Sequence, residues 1–122
     1  MLKVACIPAY NVGTMIYDVV TRSKPFVDMV IVCDDGSDDD TIKQASKAGA
    51  VVISHEKNLG KGEALKSLFN YCIKIKSDIM VTIDGDGQFL PEEIPKLTKS
   101  MIQNNSDVVI GYRFEDNEEM PA

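Results

Sequence analysis

Hydrophobic and polar positions follow two rhythms along this chain. Short, almost unbroken apolar runs occupy residues 3–7, 27–33, 50–54, 79–83 and 107–110. Runs of that length, rich in Val and Ile and bounded by Pro, Gly or Asp, read as strands covered on both faces. Between them, apolar residues recur at helical spacing: Met15, Ile16, Val19 and Val20, then Ile42, Ala45 and Ala48, then Leu65, Leu68, Phe69, Cys72 and Ile73. The first helix should end before Pro25, because the residue preceding a proline is pushed out of the helical region. Asp39 or Asp40 can cap the second helix, and Gly49 can supply its left-handed stop. Asn58-Leu59-Gly60-Lys61-Gly62 is a loop leading into the third. Pro91 opens a fourth, where its missing N–H costs nothing, with Glu92 and Glu93 near the positive end.

Strands alternating with helices predict an α/β fold: a mostly parallel sheet in three α/β/α layers, Rossmann-like in its organisation. In such sheets, ligands sit beyond the carboxyl ends of the strands. Here those ends are Pro8-Ala9-Tyr10-Asn11, Asp34-Asp35-Gly36-Ser37, residues 55–62, Asp84-Gly85-Asp86 and Gly111-Tyr112-Arg113. The polar and acidic clusters therefore gather on one edge of the sheet.

Composition narrows the class. The chain has 122 residues, 44% hydrophobic and 26% charged, which suits one domain over residues 1–122 without a linker. A chain of this length buries roughly 65% of its unfolded surface, enough for a core without staples. A disordered, collagen-like or disulfide-scaffold protein is excluded. No apolar run is long enough for a membrane-spanning helix. No secretory leader is expected, since Pro8 interrupts the run after Lys3. The net charge of −6 repels nucleic-acid phosphates, so nucleic acid is not an expected partner. Cys6, Cys33 and Cys72 are far apart and odd in number, there is no CxxC, and His55 is the only histidine. A zinc site or disulfide framework does not fit, and a reduced cytoplasmic setting does.

Asp84-Gly85-Asp86-Gly87-Gln88 is the sharpest chemical feature. Two carboxylates just past an apolar strand can face one cation, and the glycines let the backbone turn tightly. Mg²⁺ and Mn²⁺ prefer oxygen ligands, and Mg²⁺ commonly takes one or two carboxylates together with substrate phosphates. Alone, the segment reads equally well as a polar turn with an Asp helix cap. In Asp34-Asp35-Gly36-Ser37, an ionised carboxylate can accept from a ribose diol or a base N–H; a solvated turn is the alternative. Tyr10 can lie against a nucleobase, although, taken alone, an ordinary turn with a half-buried tyrosine is the better explanation. Gly60, Lys61 and Gly62 at a helix start suggest a phosphate cradle, but the Walker A pattern and GxGxxG are both absent. The ligand register of an EF-hand is missing from both acidic segments. His55 reads as structural, since nothing else in the chain completes a Ser-His-Asp or Cys-His site.

Taken in order, these segments resemble family 2 glycosyltransferases of the GT-A fold. They are Ile7-Pro8-Ala9-Tyr10-Asn11, Val32-Cys33-Asp34-Asp35-Gly36-Ser37 with Asp39 and Thr41, Asn58-Leu59-Gly60-Lys61-Gly62 with Ala64, and Asp84-Gly85-Asp86-Gly87-Gln88. Pro91-Glu92-Glu93-Ile94-Pro95-Lys96-Leu97 and Asp107-Val108-Val109-Ile110-Gly111-Tyr112-Arg113-Phe114 extend the match towards the dolichol-phosphate mannosyltransferase branch. The resemblance implies a nucleotide-diphosphate sugar donor, GDP- or UDP-linked, and Mg²⁺ or Mn²⁺. It implies that Pro8, Ala9, Tyr10 and Asn11 line the base and ribose, with Cys33 and Asp35 on the same side and Lys61 by the phosphates. Asp84 and Asp86 become the catalytic pair: Asp84 with Gly85 at the nucleotide, Asp86 at the cation. Gln88 sits by the metal and Arg113 by the diphosphate.

Two departures qualify the resemblance. Val12 stands where the family often has Glu, which leaves the base open. The chain also stops soon after Arg113, whereas family members continue into an acceptor-binding half. The sequence therefore reads as the donor-binding half, weakly active or inactive by itself. Sugar transfer to a polyprenyl phosphate, at the cytoplasmic face of a membrane, is the leading expectation. The alternatives are a non-catalytic nucleotide-sugar-binding module, a UDP-sugar transferase acting on a saccharide, and, less well supported by motif order, a receiver-like signalling domain. A truncated sheet with an exposed apolar face or open edge also predicts a homo-oligomer. Peripheral membrane association is a further expectation, alongside the polyprenyl phosphate acceptor.

Overall fold

The computed structural model describes residues 1–83, 91–103 and 109–110. Its strands form one five-stranded sheet. β1 (Lys3–Ala9) is central, between β2 (Met29–Asp34) and β4 (Ile79–Thr82); β3 (Val51–Ser54) lies outside β2, and β5 (Val109–Ile110) outside β4. Every pairing is parallel, with Ala5 opposite Val30 and Val81, and Cys33 opposite Ile53. The chain winds from β1 outward to β3, then returns to the other side of β1 to lay down β4 and β5. The strand order therefore reverses between β1 and β4. That reversal opens a crevice at the carboxyl edge, where parallel sheets bind ligands.

The pleat of β1 assigns the two faces. Ala5, Ile7 and Ala9 pack with Ile16, Val19 and Val20 of α1 (Ile16–Ser23), Ala45 of α2 (Thr41–Lys47) and Ile94 of α4 (Ile94–Gln103). Val4 and Cys6 point the other way, to Ala64, Leu68 and Cys72 of α3 (Lys61–Lys74). Strand residues thus bury both faces, which is why their runs are continuously apolar rather than alternating. Across the α3 side, the Cys6 and Cys72 sulfurs lie 3.4 Å apart as free thiols.

The turns follow local chemistry, with some differences from the sequence expectation. α1 ends at Ser23, but the chain then makes one 3-10 turn, Lys24–Phe26, that accommodates Pro25 in its first residues. This delays β2 to Met29. Asp40 occupies the cap position of α2 without a side-chain bond. Asp39 caps instead, its Oδ1 accepting from the Thr41 N–H at 3.0 Å and from the Thr41 hydroxyl. Gly49 adopts φ 101°, and the Ala50 N–H reaches back to the Ala45 carbonyl, the bond pattern of a left-handed helix stop. Pro91 opens a 3-10 turn, Pro91–Glu93, before α4 begins. At the amino edge, Asp78 and Asp28 accept from the Leu2 and Lys3 N–H groups at 2.6 and 2.8 Å, closing the start of β1. The predicted strand over 107–110 is present as Val109–Ile110; residues 107 and 108 lie outside the described residues.

Leu68 is fully buried under the sheet, whereas its neighbour Phe69 is 42% exposed. Replacing Leu68 with Ala removes apolar contact and leaves a void, so it should lower unfolding free energy by about 3 kcal/mol. Phe69→Ala should change it by less than about 1 kcal/mol. Urea denaturation of the two variants checks the contrast.

Candidate functional site

Three of the loops at the carboxyl edge are bonded to one another. The first link joins the loop after β1 to the one after β2. Asn11 turns the chain at φ 53°, a conformation Asn tolerates better than most residues. Its N–H donates to the Ser37 hydroxyl at 2.8 Å, and its Oδ1 accepts from the Asp38 N–H at 2.8 Å. The Val12 N–H donates to Thr41 Oγ1 and the Gly13 N–H to Asp39 Oδ2, both at 3.0 Å. Ser37 also closes on Asp34, whose fully buried carboxylate accepts from the Ser37 hydroxyl at 2.5 Å and its N–H at 2.9 Å.

The second link is centred on Asp35, only 3% exposed. Its Oδ1 accepts from His55 Nδ1 at 2.8 Å and from the Leu59 N–H at 2.9 Å. Its Oδ2 accepts from the Gly60 N–H at 2.8 Å, and its carbonyl from the Asn58 amide at 3.3 Å. Burial pushes the Asp35 carboxyl upward, but the hydrogen bonds from His55, Leu59 and Gly60 together outweigh it and leave the pKa below the ordinary value. Asp39 is lowered as well, first by the Thr41 hydroxyl and further by backbone N–H groups, against a smaller burial effect. Gly36 completes the clasp at φ 79°: a Cβ there would stand 2.5 Å from the Lys57 carbonyl carbon.

His55 is held on both sides, with Nδ1 at Asp35 and Nε2 2.9 Å from the Ser67 hydroxyl of α3. Cys33 Sγ lies 3.7 Å from the same Nε2. Burial, followed by the charges of Asp35 and Asp34, pushes the Cys33 thiol up to about 11, so it stays protonated at neutral pH.

The predicted site residues divide as follows. Pro8, Ala9, Tyr10 and Asn11 stand where β1 meets the crevice, Ala9 buried and Tyr10 45% exposed. Cys33 is fully buried towards α3, with its thiol against His55. Asp35 faces inward, against the 55–60 loop. Lys61 begins α3, exposed, at the end of that loop. Asp84, Gly85, Asp86, Gln88 and Arg113 lie outside the described residues; β4 and Ile83 lead directly into the first of them, beside the reversal point. Among the described residues, no group of three His, Cys, Asp or Glu side chains could hold a metal. The sequence reading did not assign Asp34, Ser37 or Ser67. Asp34-x-x-Ser37 is a side-chain turn pattern and was a usable signal. Ser67 carried none, because its partner lies on another element.

A parallel sheet whose strand order reverses between β1 and β4 places the chain among the open α/β folds that bind ligands at that edge. Within that class the chain belongs to glycosyl transferase family 2, whose model matches residues 4–121. It is 33% identical to the UDP-N-acetylglucosamine–dolichyl-phosphate N-acetylglucosaminyltransferase of Methanococcus voltae, over 93% of this chain and 52% of that protein. It is 28% identical to an undecaprenyl-phosphate 4-deoxy-4-formamido-L-arabinose transferase of Edwardsiella ictaluri, over 93% of this chain and 37% of that one. Its fold matches the GT-A structure of glucosyl-3-phosphoglycerate synthase from Mycobacterium tuberculosis, solved with Mn²⁺, UDP and glucosyl-3-phosphoglycerate. That match has a TM-score of 0.67 and 32% identity over 82% of this chain and 39% of that one. The chain spans about half the length of the first curated relatives it matches.

Two outcomes follow from the clasp. Gly36→Ala combines a left-handed φ with a backbone clash and should lower stability by about 2 kcal/mol or more, read by urea denaturation. The lowered Asp35 pKa gives the second. A carboxyl depressed on folding contributes stability above its unfolded value, about 3.9, and loses it as pH falls through the lower folded value. The stability gap between wild type and Asp35→Asn should therefore be full at pH 5 to 7 and shrink progressively below pH 4.

Proposed function

We propose that this chain is the donor-binding part of a glycosyltransferase that takes a UDP-linked sugar with a divalent cation and transfers the sugar to a phosphorylated polyprenol. The observation that carries the reading is the carboxyl edge, where the loops after β1, β2 and β3 are bonded to one another and the strand order reverses between β1 and β4, on a chain whose fold matches a relative solved with UDP and Mn²⁺. The relatives' names favour uridine over guanine and phosphate-bearing acceptors over plain sugars.

In this reading Pro8, Ala9, Tyr10 and Asn11 receive the base and ribose, and Tyr10 has the exposed ring to stack on a base. Cys33 and Asp35 shape the floor from within. Lys61, at the α3 entrance, and Arg113 lie with the diphosphate. Asp84, Asp86 and Gln88 are hard oxygen donors in sequence with β4, a donor set that fits Mg²⁺ or Mn²⁺. When bound, the cation offsets the charge that builds up on the departing nucleoside diphosphate. A phosphate monoester, with a second pKa of about 6, is already ionised near neutral pH. Such an acceptor needs positioning more than a general base.

No described helix is long and apolar enough to cross a membrane. A polyprenyl acceptor would bring the working protein to the cytoplasmic face of a bilayer. The solved relative that holds glucosyl-3-phosphoglycerate supports a second reading, a small phosphorylated acceptor. Both readings share the donor site.

Titration calorimetry of UDP and GDP, each with and without Mn²⁺, tests the donor half. UDP should bind at least about tenfold more tightly with Mn²⁺ than without, and more tightly than GDP. Asp86→Asn should abolish the metal dependence. Equal binding with and without metal, unchanged in Asp86→Asn, would overturn the reading.

A further inference from the structure

His55 ties the ends of β2 and β3 to α3 through a single side chain. Its N–H continues the ladder by donating to the Asp34 carbonyl at 2.9 Å, which fixes its backbone at the sheet edge. Its side chain is 11% exposed and lies between an acceptor and a hydroxyl. An ionised Asp35 can only accept, so the Nδ1 atom carries a proton. A hydroxyl both donates and accepts, so Ser67 satisfies Nε2 in either protonation state of the ring. The imidazole is a rigid spacer with polar contacts at both ends, and neither end faces solvent. Asp35 in turn holds the N–H groups of Leu59 and Gly60, immediately before Lys61.

We propose that His55 is a positioning residue for the nucleotide site: by fixing Asp35 against α3, it sets the 55–60 loop and the entrance of α3 that meet the nucleotide. This rests on the donor-site reading above. Packing alone would need only a side chain of similar volume. Positioning needs a donor where Nδ1 stands.

The two roles predict opposite rescues. His55→Ala removes both contacts, His55→Leu keeps bulk without a donor, and His55→Asn keeps a donor close to the Nδ1 place. UDP affinity in the presence of Mn²⁺ should fall about tenfold in the Ala and Leu variants and return to within about threefold of wild type in the Asn variant. Amide hydrogen exchange without nucleotide gives an independent readout. Leu59 and Gly60 should lose protection in the Ala and Leu variants and regain it in Asn, while Leu68 stays protected in all three, which shows that the fold is intact. Rescue by Leu rather than Asn, or unchanged exchange at Leu59 and Gly60 in the Ala variant, would overturn the inference. If wild type binds UDP and His55→Ala binds it equally well, the inference fails alone. If wild type binds no nucleotide, the donor-site reading fails and takes the inference with it.

Discussion

A carboxylate removed from water has to be surrounded by donors, and Asp35 meets that demand by drawing a whole loop onto itself. It ends the β2 side of the edge, is 3% exposed, and takes three hydrogen bonds from residues 55 to 60. Leaving such a group unpaired would cost several kcal/mol. The loop after β3 is therefore not free to wander, although its side chains are mostly exposed. Gly36 allows the backbones to touch, and Asn11, Ser37 and Asp34 bind the β1 loop to the same clasp. The carboxyl edge is preorganised by polar bonds rather than by apolar packing, which fits a surface that must stay open to a polar ligand.

The sheet beneath supplies the rigidity that this arrangement needs. Parallel strands buried on both faces anchor the loops at the strand spacing. The reversal lies between the end of β1, at Pro8 to Asn11, and the end of β4. In the proposed reading a nucleoside would lie on the β1 side of that crevice and its phosphates towards β4. The proposed roles follow the order of motifs along the chain, with base-side residues early and the carboxylate pair after β4 in sequence.

Much of this was legible in the sequence, for a physical reason. Strands covered on both sides leave continuous apolar runs, and five such runs between helical periods specify a parallel sheet with little ambiguity. Gly49 was readable as a helix stop because only a left-handed turn explains it there. The capping of α2 was half legible: the acidic run announced a cap, but which carboxylate reaches Thr41 depends on how the loop is drawn towards Gly13. Pro25 was read as a stop, and α1 does end before it, at Ser23; the 3-10 turn that follows, which a proline permits in its first residues, was not foreseen. Tyr10 and Asn11 could be placed at the carboxyl edge from the end of the first apolar run, whereas their assignment to a base and ribose came from the family resemblance. The inward role of Asp35 was hidden, because a ligand-facing and a loop-facing carboxylate look identical in sequence. Its partners His55, Leu59 and Gly60 lie more than a strand away, and Ser67 further still.

The most direct test of a nucleotide site at the carboxyl edge is a ¹⁵N–¹H NMR titration with UDP in the presence of Mg²⁺. The backbone signals of Tyr10, Asn11, Leu59, Gly60 and Lys61 should shift together with UDP, while Asp28, Gly49 and Ser77 at the opposite edge stay in place. Shifts centred on the opposite edge, or none at saturating UDP, would contradict the account.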